Sequence, residues 1–342
     1  MHDGRSEGER FFLCSCPCFS MLLEVADLHT SFLVESGVVR AVDGISFSLS
    51  TGEILGLVGE SGCGKTVTAL SIMRLLPDAK GVLLEGKVLL DGQDLLALDP
   101  EEMRRIRGKQ ISMIFQEPTT SLNPVFTVEN QLGEVMRIHE GLDHQEARMK
   151  SLEMLKLVRL SDPERIMAEY PHRLSGGMSQ RVMIAMALAC NPRILIADEP
   201  TTALDVTIQA QILDLLQRLR DELNMAIILI THDLGVIAQL AQRVLVIYAG
   251  RVVEEASVED LFRLPSHPYT QGLLQSIPPM RDEGARPSRL FTIPGTVPNL
   301  LALPEGCKFH PRCQRKQEIC SGKEPALDPI DSGHRARCYF PG

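Results

Sequence analysis

Residues Gly59 to Thr66 have the sequence Gly-Glu-Ser-Gly-Cys-Gly-Lys-Thr, which fits the phosphate-loop pattern G-x-x-x-x-G-K-[ST]. The residues before it, Ile54-Leu55-Gly56-Leu57-Val58, form a short apolar run typical of a buried parallel strand. After it, the spacing of apolar residues predicts a helix from Thr66 to Leu76, which Pro77 ends. A strand, a glycine-rich loop and a helix in this order predict an α/β fold with an anion site at the helix start.

The loop has the residue types that phosphate binding needs. Glycines let backbone N–H groups turn toward phosphate oxygens, and the helix that follows directs the positive end of its dipole at them. Lys65 is predicted to reach the terminal phosphates of a nucleotide, and Thr66 to offer its hydroxyl to Mg²⁺. The residues predicted to contact the nucleotide are Gly59, Glu60, Ser61, Gly62, Cys63, Gly64, Lys65 and Thr66.

The composition is that of a globular protein with an ample core, since 44% of the 342 residues are apolar and 23% are charged. The net charge of −9 argues against a general nucleic-acid-binding protein, which needs a basic face. No apolar run approaches the length of a membrane span, so we expect any membrane role to depend on partner proteins.

Composition divides the chain into three parts. Residues 1–20 are predicted to be a disordered extension or an over-extended start, with a metal or lipid site at Cys14, Cys16 and Cys18 as the alternative. Short strands are predicted within residues 21–58, and strands alternate with helices up to about residue 260, which predicts a mainly parallel sheet covered by helices. In residues 261–342, a proline-rich segment predicts an extended connector before a compact end that contains cysteines.

Two acidic residues end a second apolar strand, Ile194-Leu195-Ile196-Ala197. Asp198 is placed to hold Mg²⁺ through its coordination shell, and Glu199 to polarise an attacking water. A solvated acidic turn is the alternative interpretation, which the phosphate loop upstream disfavours.

A small turn, Leu174-Ser175-Gly176-Gly177-Met178, precedes a helix predicted from about Ser179 to Ala189. A Ser-Gly-Gly turn at a helix start leaves N–H groups and a hydroxyl free for an anion. Because the chain already has a phosphate loop, this second anion site is predicted to serve a second nucleotide.

Together these motifs resemble those of the ATP-binding-cassette (ABC) ATPases, and the resemblance covers residues 21 to about 260. The matches are Gly59–Thr66 to the Walker A loop, Ile194–Glu199 to the Walker B strand, Leu174–Met178 to the signature (with Met replacing the usual Gln), Gln116 to the Q-loop, Thr202-Ala203-Leu204-Asp205 to the D-loop and His232 to the switch histidine. The resemblance implies a P-loop NTPase fold, with a RecA-like core and an inserted helical subdomain near residues 116–190.

The resemblance also implies a role for each matched residue in binding and hydrolysing ATP. Lys65 would hold the phosphates, Glu199 would act as the catalytic base and His232 would sense the γ-phosphate. The Mg²⁺ ligands would be organised by Thr66, Gln116 and Asp198. In a head-to-tail pair of cassettes, the second chain would close the site with Ser175, Gly176, Gly177 and Asp205.

One departure concerns the aromatic residue that stacks on adenine in the family. Its position falls near Ser36, Gly37 or Arg40, none of which is aromatic.

A finer resemblance is to the ATPase subunits of dipeptide and oligopeptide importers. Its basis is the sequence of Phe115–Pro118 with Ser121–Pro124, the signature helix from Gly176 to Ala185, the motif His267-Pro268-Tyr269-Thr270 and the terminal cysteine segment. It implies a second ATPase subunit, identical or not, two permease chains and an extracytoplasmic peptide-binding protein. The subunit would lie at the cytoplasmic face of the inner membrane, where its surface around residues 117–140 would receive a coupling helix.

Four cysteines near the end of the chain form a candidate metal site: Cys307, Cys313, Cys320 and Cys338. Their long spacing is not that of paired C-x-x-C zinc knuckles, and four thiolates suit either Zn²⁺ or a [4Fe–4S] cluster. Some members of the resembled group hold an iron–sulfur cluster here, which favours the cluster; four unligated thiols are the alternative. Cys63 and Cys190 are predicted to be structural.

The sequence leaves three alternative functions open. The resembled group includes nickel importers, so the chain could serve an importer of nickel or another solute. A soluble cassette protein acting on ribosomes or DNA is disfavoured because such proteins generally have two cassettes or a long coiled-coil insertion. A redox-sensing regulator is disfavoured as the main role by the complete set of ATPase motifs.

Overall fold

The computed structural model describes residues 21–77, 81–202, 204–277 and 291–342. The predicted extension at residues 1–20 lies outside these ranges, as do Ala203 and the prolines at 278, 279 and 287 of the predicted connector. Within them the chain has an α/β fold built on an antiparallel sheet and a larger, mainly parallel sheet.

Strands and helices alternate along most of the described chain, as the sequence predicts. The strands are β1 (Met21–Val34), β2 (Gly37–Ser50), β3 (Ile54–Val58), β4 (Val82–Leu90), β5 (Gln93–Asp94), β6 (Ile111–Ile114), β7 (Ile194–Asp198), β8 (Ala226–Thr231), β9 (Arg243–Tyr248), β10 (Arg251–Ser257), β11 (Asp328–Asp331) and β12 (His334–Ala336). The helices are α1 (Lys65–Ile72), α2 (Pro100–Ile106), α3 (Pro118–Ser121), α4 (Val128–Glu140), α5 (His144–Leu157), α6 (Pro163–Ala168), α7 (Gly176–Leu188), α8 (Val206–Leu223), α9 (Leu234–Leu240), α10 (Val258–Arg263), α11 (Pro268–Gln275) and α12 (Glu318–Gly322), with 3₁₀ turns at Pro171–Arg173 and His310–Arg312.

The larger sheet has the strand order β11-β12-β10-β9-β3-β8-β7-β6. The strands from β9 to β6 are parallel, as predicted, whereas β10, β12 and β11 add an antiparallel edge. Every residue of β3, β7 and β8 is buried, because helices and the other sheet cover both faces. The carboxyl ends of these three strands meet at one edge, where ligands bind in open α/β sheets.

The smaller sheet, with the order β2-β1-β4-β5, corrects the prediction of short strands in residues 21–58. β1 and β2 are each 14 residues long and pair along their length. Their register shifts at several points, among them Val25/Leu28 and Thr30/Ser31. Such bulges interrupt the alternation of apolar and polar residues, so one long strand has the sequence pattern of several short ones.

Helix α1 ends earlier than the predicted Leu76. Its last residue is Ile72, and Arg74 adopts a left-handed conformation with φ of 48°. The Arg107 side chain donates hydrogen bonds to the carbonyl oxygens of Met73 (2.7 Å) and Arg74 (2.5 Å). These bonds satisfy carbonyls at the end of the helix, and a partner 33 or 34 residues away cannot be found from local periodicity.

The helices from α3 to α7 all lie between β6 and β7 in the chain. The predicted N-terminus of α5 is confirmed, because Asp143 and Glu146 form a reciprocal capping box. Buried Leu132 and Leu155, from α4 and α5, join the core that also contains α7 and the parallel strands.

The C-terminal part packs directly on the cassette. β12 pairs with β10 through Glu254 and Ala336, which extends the large sheet. Lys308 forms a buried ion pair with Asp43 at 2.5 Å, and Phe309 contacts the rings of Tyr248 and Tyr269. None of the described helices has the length and hydropathy needed to cross a membrane.

Candidate nucleotide site

The phosphate loop connects the end of β3 to the start of α1 at the carboxyl edge of the parallel strands. Gly64 immediately precedes α1 with φ of 108°, a conformation that side chains strongly disfavour. A Cβ atom at Gly64 would lie 2.3 Å from the Ala41 carbonyl oxygen. The loop therefore needs glycine at this position for both its conformation and its close approach to β2.

Lys65 lies inside the loop rather than in solvent, with only 5% of its surface exposed. Its Nζ donates hydrogen bonds to the carbonyl oxygens of Gly59 (2.8 Å) and Glu60 (3.1 Å). It also lies 3.7 Å from Sγ of Cys63, a thiol whose pKa is raised by burial. The loop thus holds an ammonium group at its centre, where it can meet a phosphate.

Asp198 is the last residue of β7 and is almost fully buried. Its carboxylate hydrogen-bonds to the Thr66 hydroxyl, and burial raises its pKa. Its Oδ1 has no hydrogen-bond partner among the described residues. A buried carboxylate oxygen without a partner, beside a hydroxyl, is the donor set that Mg²⁺ prefers, so the two residues fit the predicted ion.

Glu199 follows β7 in a left-handed conformation, with φ of 46°. Its carboxylate accepts hydrogen bonds from Nε2 of Gln116 (3.0 Å) and from the Thr202 hydroxyl (2.8 Å). Nδ1 of His232 lies 3.2 Å from its other oxygen. The structure thus brings together the three residues predicted to be catalytic, which lie up to 116 positions apart in the sequence.

The environment of Glu199 keeps its carboxylate ionised. Burial raises its pKa, but the hydrogen bonds with Thr202 and His232, together with electrostatic attraction from His232 and Lys65, outweigh burial and leave the pKa below its usual value. Sequence analysis assigned Thr202 only to the D-loop and missed it as a partner of Glu199. The signal was a hydroxyl residue three positions after the acid, close enough to turn back toward it.

The signature turn lies elsewhere on the same chain. Ser175 caps α7 by accepting a hydrogen bond from Met178 N–H (3.3 Å), and Gly176 beside it is exposed. A Cβ atom at Gly177 would lie 2.9 Å from Cγ2 of Ile208, whose own N–H donates to Asp205 at the start of α8. The hydrogen bonds to Ser175 come from Met178 and Ser179 of its own helix.

The four C-terminal cysteines line one pocket, together with Phe309 and other residues. The pKa of Cys307 is raised to about 11 by burial and by the nearness of Cys338, Cys320 and Cys313. In the described ranges, however, no three His, Cys, Asp or Glu side chains are spaced to hold a metal ion. The thiols therefore converge as predicted, but the predicted Zn²⁺ or iron–sulfur site has no support from this geometry.

Comparison with protein families gives two matches. Residues 42–202 match the family described as ABC transporter. Residues 253–320 match the family described as oligopeptide/dipeptide transporter, C-terminal region.

Curated relatives match nearly the whole chain. A probable peptide ABC transporter ATP-binding protein, y4tR of Sinorhizobium fredii, is 54% identical over 95% of this chain and 96% of its own. The oligopeptide transport ATP-binding protein AppD of Bacillus subtilis is 51% identical over 94% of this chain and 97% of its own.

Solved structures match part of this chain. One is a dimeric structure of a post-hydrolysis state of the ATP-binding cassette MJ0796 bound to ADP and Pi, with a TM-score of 0.62 and 29% identity over 69% of this chain and 99% of that one. Another is cbiO1 from Clostridium perfringens, part of the ABC transporter complex cbiONQ, with a TM-score of 0.59 and 26% identity over 71% and 91%. The chain therefore belongs to the ATP-binding proteins of the ABC transporter family, in the group that has the oligopeptide/dipeptide transporter C-terminal region.

Proposed function

We propose that the chain is the ATP-binding and hydrolysing subunit of an importer of dipeptides or oligopeptides. The observation that supports ATP hydrolysis best is the arrangement around Glu199, whose ionised carboxylate meets Gln116 and His232 beside the phosphate loop. Peptide import is favoured because relatives about 50% identical over nearly the whole chain are named for peptide or oligopeptide transport.

Each residue of the site has a chemical task in this proposal. Lys65 binds the β- and γ-phosphates, and the carboxylate of Glu199 accepts the proton of the attacking water. His232 senses the γ-phosphate, and Nδ1 of His232 and Nε2 of Gln116 orient the carboxylate of Glu199. Thr66, Gln116 and Asp198 would hold Mg²⁺, which when bound neutralises charge on the phosphate oxygens.

The proposed site is completed by a second cassette. Ser175, Gly176 and Gly177 of that cassette would contact the γ-phosphate, since their N–H groups and hydroxyl are available at the start of α7. Asp205 at the start of α8 would lie at the same interface. The dimeric form of the related cassette structure supports this pairing.

A permease is proposed to contact the surface around residues 117–140. Val125 and Ile138 are 70% and 64% exposed, and Phe126 is 49% exposed. These apolar side chains lie within residues 117–140, where a coupling helix from a permease would dock. The complete assembly would have two permease chains and an extracytoplasmic binding protein, with this subunit peripheral at the cytoplasmic face of the inner membrane.

Uptake of labelled solutes in a strain that lacks the chain tests the proposal. We expect peptide uptake to be lost and to return with the wild-type chain but not with Glu199→Gln. Loss of nickel uptake with normal peptide uptake would favour the alternative importer. Co-purification with ribosomes instead of permeases would favour a soluble cassette protein.

We also propose that the cysteine-lined pocket binds a [4Fe–4S] cluster rather than Zn²⁺. Cys307, Cys313, Cys320 and Cys338 converge on one pocket, and four cysteine thiolates are the ligand set of such a cluster. Protein purified without oxygen should absorb near 400 nm (roughly, from thiolate-to-iron charge transfer) and contain iron. A colourless preparation with zinc, or with neither metal, would contradict this assignment.

A further inference from the structure

Each polar group of Glu60, the second residue of the phosphate loop, takes part in a hydrogen bond within the chain. Its backbone N–H donates to the Tyr269 hydroxyl at 2.8 Å, and its carbonyl oxygen accepts from Nζ of Lys65 at 3.1 Å. Its carboxylate accepts two hydrogen bonds from Arg312, at 2.6 and 3.0 Å. Two of its partners, Tyr269 and Arg312, come from the C-terminal part of the chain, more than 200 residues away. The other two belong to the loop itself: Lys65, and Cys63, whose N–H donates to the same carbonyl oxygen at 3.3 Å.

Tyr269 is held rigidly by the motif His267-Pro268-Tyr269. Nδ1 of His267 accepts a hydrogen bond from Tyr269 N–H at 3.1 Å. Burial lowers the pKa of His267 to about 3, so the ring stays neutral and able to accept. The backbone N–H of His267 donates in turn to the buried carboxylate of Glu254 at 2.8 Å. The tyrosine ring is fully buried, which leaves its hydroxyl in one place, at the phosphate loop.

Arg312 is similarly fixed. Its Nε donates to the Pro294 carbonyl oxygen at 3.1 Å, and its guanidinium lies 5.8 Å from the ring centre of Tyr248 and 6.0 Å from that of Phe309. Only 4% of its side chain is exposed, against 30% for that of Glu60. This bidentate pair of hydrogen bonds fixes the orientation of the Glu60 carboxylate as well as its distance from Arg312, which a lysine could not do.

We infer that Arg312 and Tyr269 are positioning residues that act through Glu60 to set the conformation of the phosphate loop. The inference rests on the proposed ATPase function. Lys65 is held by the carbonyl oxygens of Gly59 and Glu60, so the place of its ammonium group depends on how Glu60 is held. The C-terminal part of the chain thereby takes part in binding ATP without contacting it.

A purely stabilising role is the rival explanation, and Arg337 offers a matched control. Arg337 belongs to the same C-terminal part and is mostly buried, with hydrogen bonds to the carbonyl oxygens of Val252 (2.9 Å) and Pro325 (3.1 Å). The first bond joins the C-terminal part to β10, the second lies within the C-terminal part, and neither involves the phosphate loop. Arg312→Ala and Arg337→Ala should therefore both lower thermal stability, but only Arg312→Ala should affect ATP binding.

The test measures KM for MgATP, kcat and thermal unfolding on the full-length chain, together with binding of a fluorescent ATP analogue. For Arg312→Ala we expect KM and the dissociation constant of the analogue to rise about tenfold, a typical size for coupling between sites. We expect kcat to fall less, because the loop binds the phosphates in the ground state as well as in the transition state. Arg337→Ala should leave KM within about twofold of the wild-type value, as expected of a site without coupling.

Milder variants cover the case in which Arg312→Ala does not fold. Tyr269→Phe removes one hydroxyl, and Arg312→Lys keeps the charge but loses the bidentate hydrogen bond to Glu60. Both variants should raise KM several-fold (roughly, the effect of one lost hydrogen bond). In a Glu60→Ala background, Arg312→Ala should cause no further rise in KM, because its partner is already absent.

Equal changes in KM for Arg312→Ala and Arg337→Ala, or additive effects of Arg312→Ala and Glu60→Ala, would overturn the inference. Wild-type protein that neither binds nor hydrolyses MgATP would instead refute the proposed function. The two failures are therefore distinguishable.

Discussion

At the scale of single residues, Glu199 shows how a local sequence pattern and a distant contact combine. The apolar strand before it and the acid at its end are visible in the sequence, and so is the Asp198 that fits Mg²⁺. The partners Gln116 and His232 could be assigned only by resemblance, because nothing in a lone Gln or a lone His indicates a carboxylate that is, respectively, 83 or 33 residues away.

Thr202 gives the first prediction. Its hydrogen bond lowers the pKa of Glu199, so Thr202→Val should raise that pKa toward its usual value. Since the base must be ionised, the acid limb of the kcat profile should move to higher pH in the variant. Thr201→Val is the control, because the described contacts give the Thr201 hydroxyl no bond to Glu199. An unchanged acid limb in Thr202→Val would remove Thr202 from this role.

At the scale of elements, the parallel strands and the alternation of strands and helices followed from the sequence, whereas lengths did not. Bulges interrupt the apolar–polar alternation of the 14-residue strands β1 and β2, so their sequence pattern is that of several short strands. Helix α1 ends at Ile72 because Arg107, far along the chain, takes up the carbonyl oxygens that follow it. Both of these predictions of element length were wrong because the lengths depend on long-range contacts or on backbone irregularity, which local propensity does not encode.

The phosphate loop gives a second prediction, in which two of its glycines are compared. Gly62 and Gly64 both have positive φ, but a Cβ atom at Gly62 would have nothing within 4 Å, whereas one at Gly64 would lie 2.3 Å from the Ala41 carbonyl oxygen. Gly62→Ala should lower the free energy of unfolding by about 1 kcal/mol, the cost of a left-handed residue. Gly64→Ala should lower the free energy of unfolding, measured with urea, by clearly more than Gly62→Ala does. Equal decreases in the free energy of unfolding would show that the backbone shifts easily to remove the clash between a Cβ atom at position 64 and the Ala41 carbonyl oxygen.

At the scale of the whole molecule, the C-terminal part is joined to the cassette by buried charges. The Lys308–Asp43 pair links residues 265 positions apart, and no sequence pattern predicted this ion pair. The motif His267-Pro268-Tyr269-Thr270 was recognisable in the sequence, but its contact with Glu60 was not. The sequence thus predicted which segments exist, and the structure was needed to find what joins them.

The buried pair gives a third prediction. Lys308→Met leaves the Asp43 carboxylate with Arg251 and His29 as its remaining partners among the ion pairs of the described residues. We expect the free energy of unfolding to fall by about 2–4 kcal/mol, as when one partner of a buried pair is removed. Lys316→Met, at an exposed position of the same segment, should change it by less than about 0.5 kcal/mol. A Lys308→Met protein as stable as the wild type would mean that the pair does not join the two parts.

The most direct measurement concerns two chains closing on ATP. Purified Glu199→Gln protein, mixed with MgATP, should form a dimer in sedimentation velocity with ATP retained, because binding is intact while proton abstraction from water is lost. Lys65→Ala in the same background should stay monomeric, since its phosphate contact is absent. Phosphate release by Glu199→Gln at the wild-type rate, or failure of this protein to retain ATP, would contradict the account.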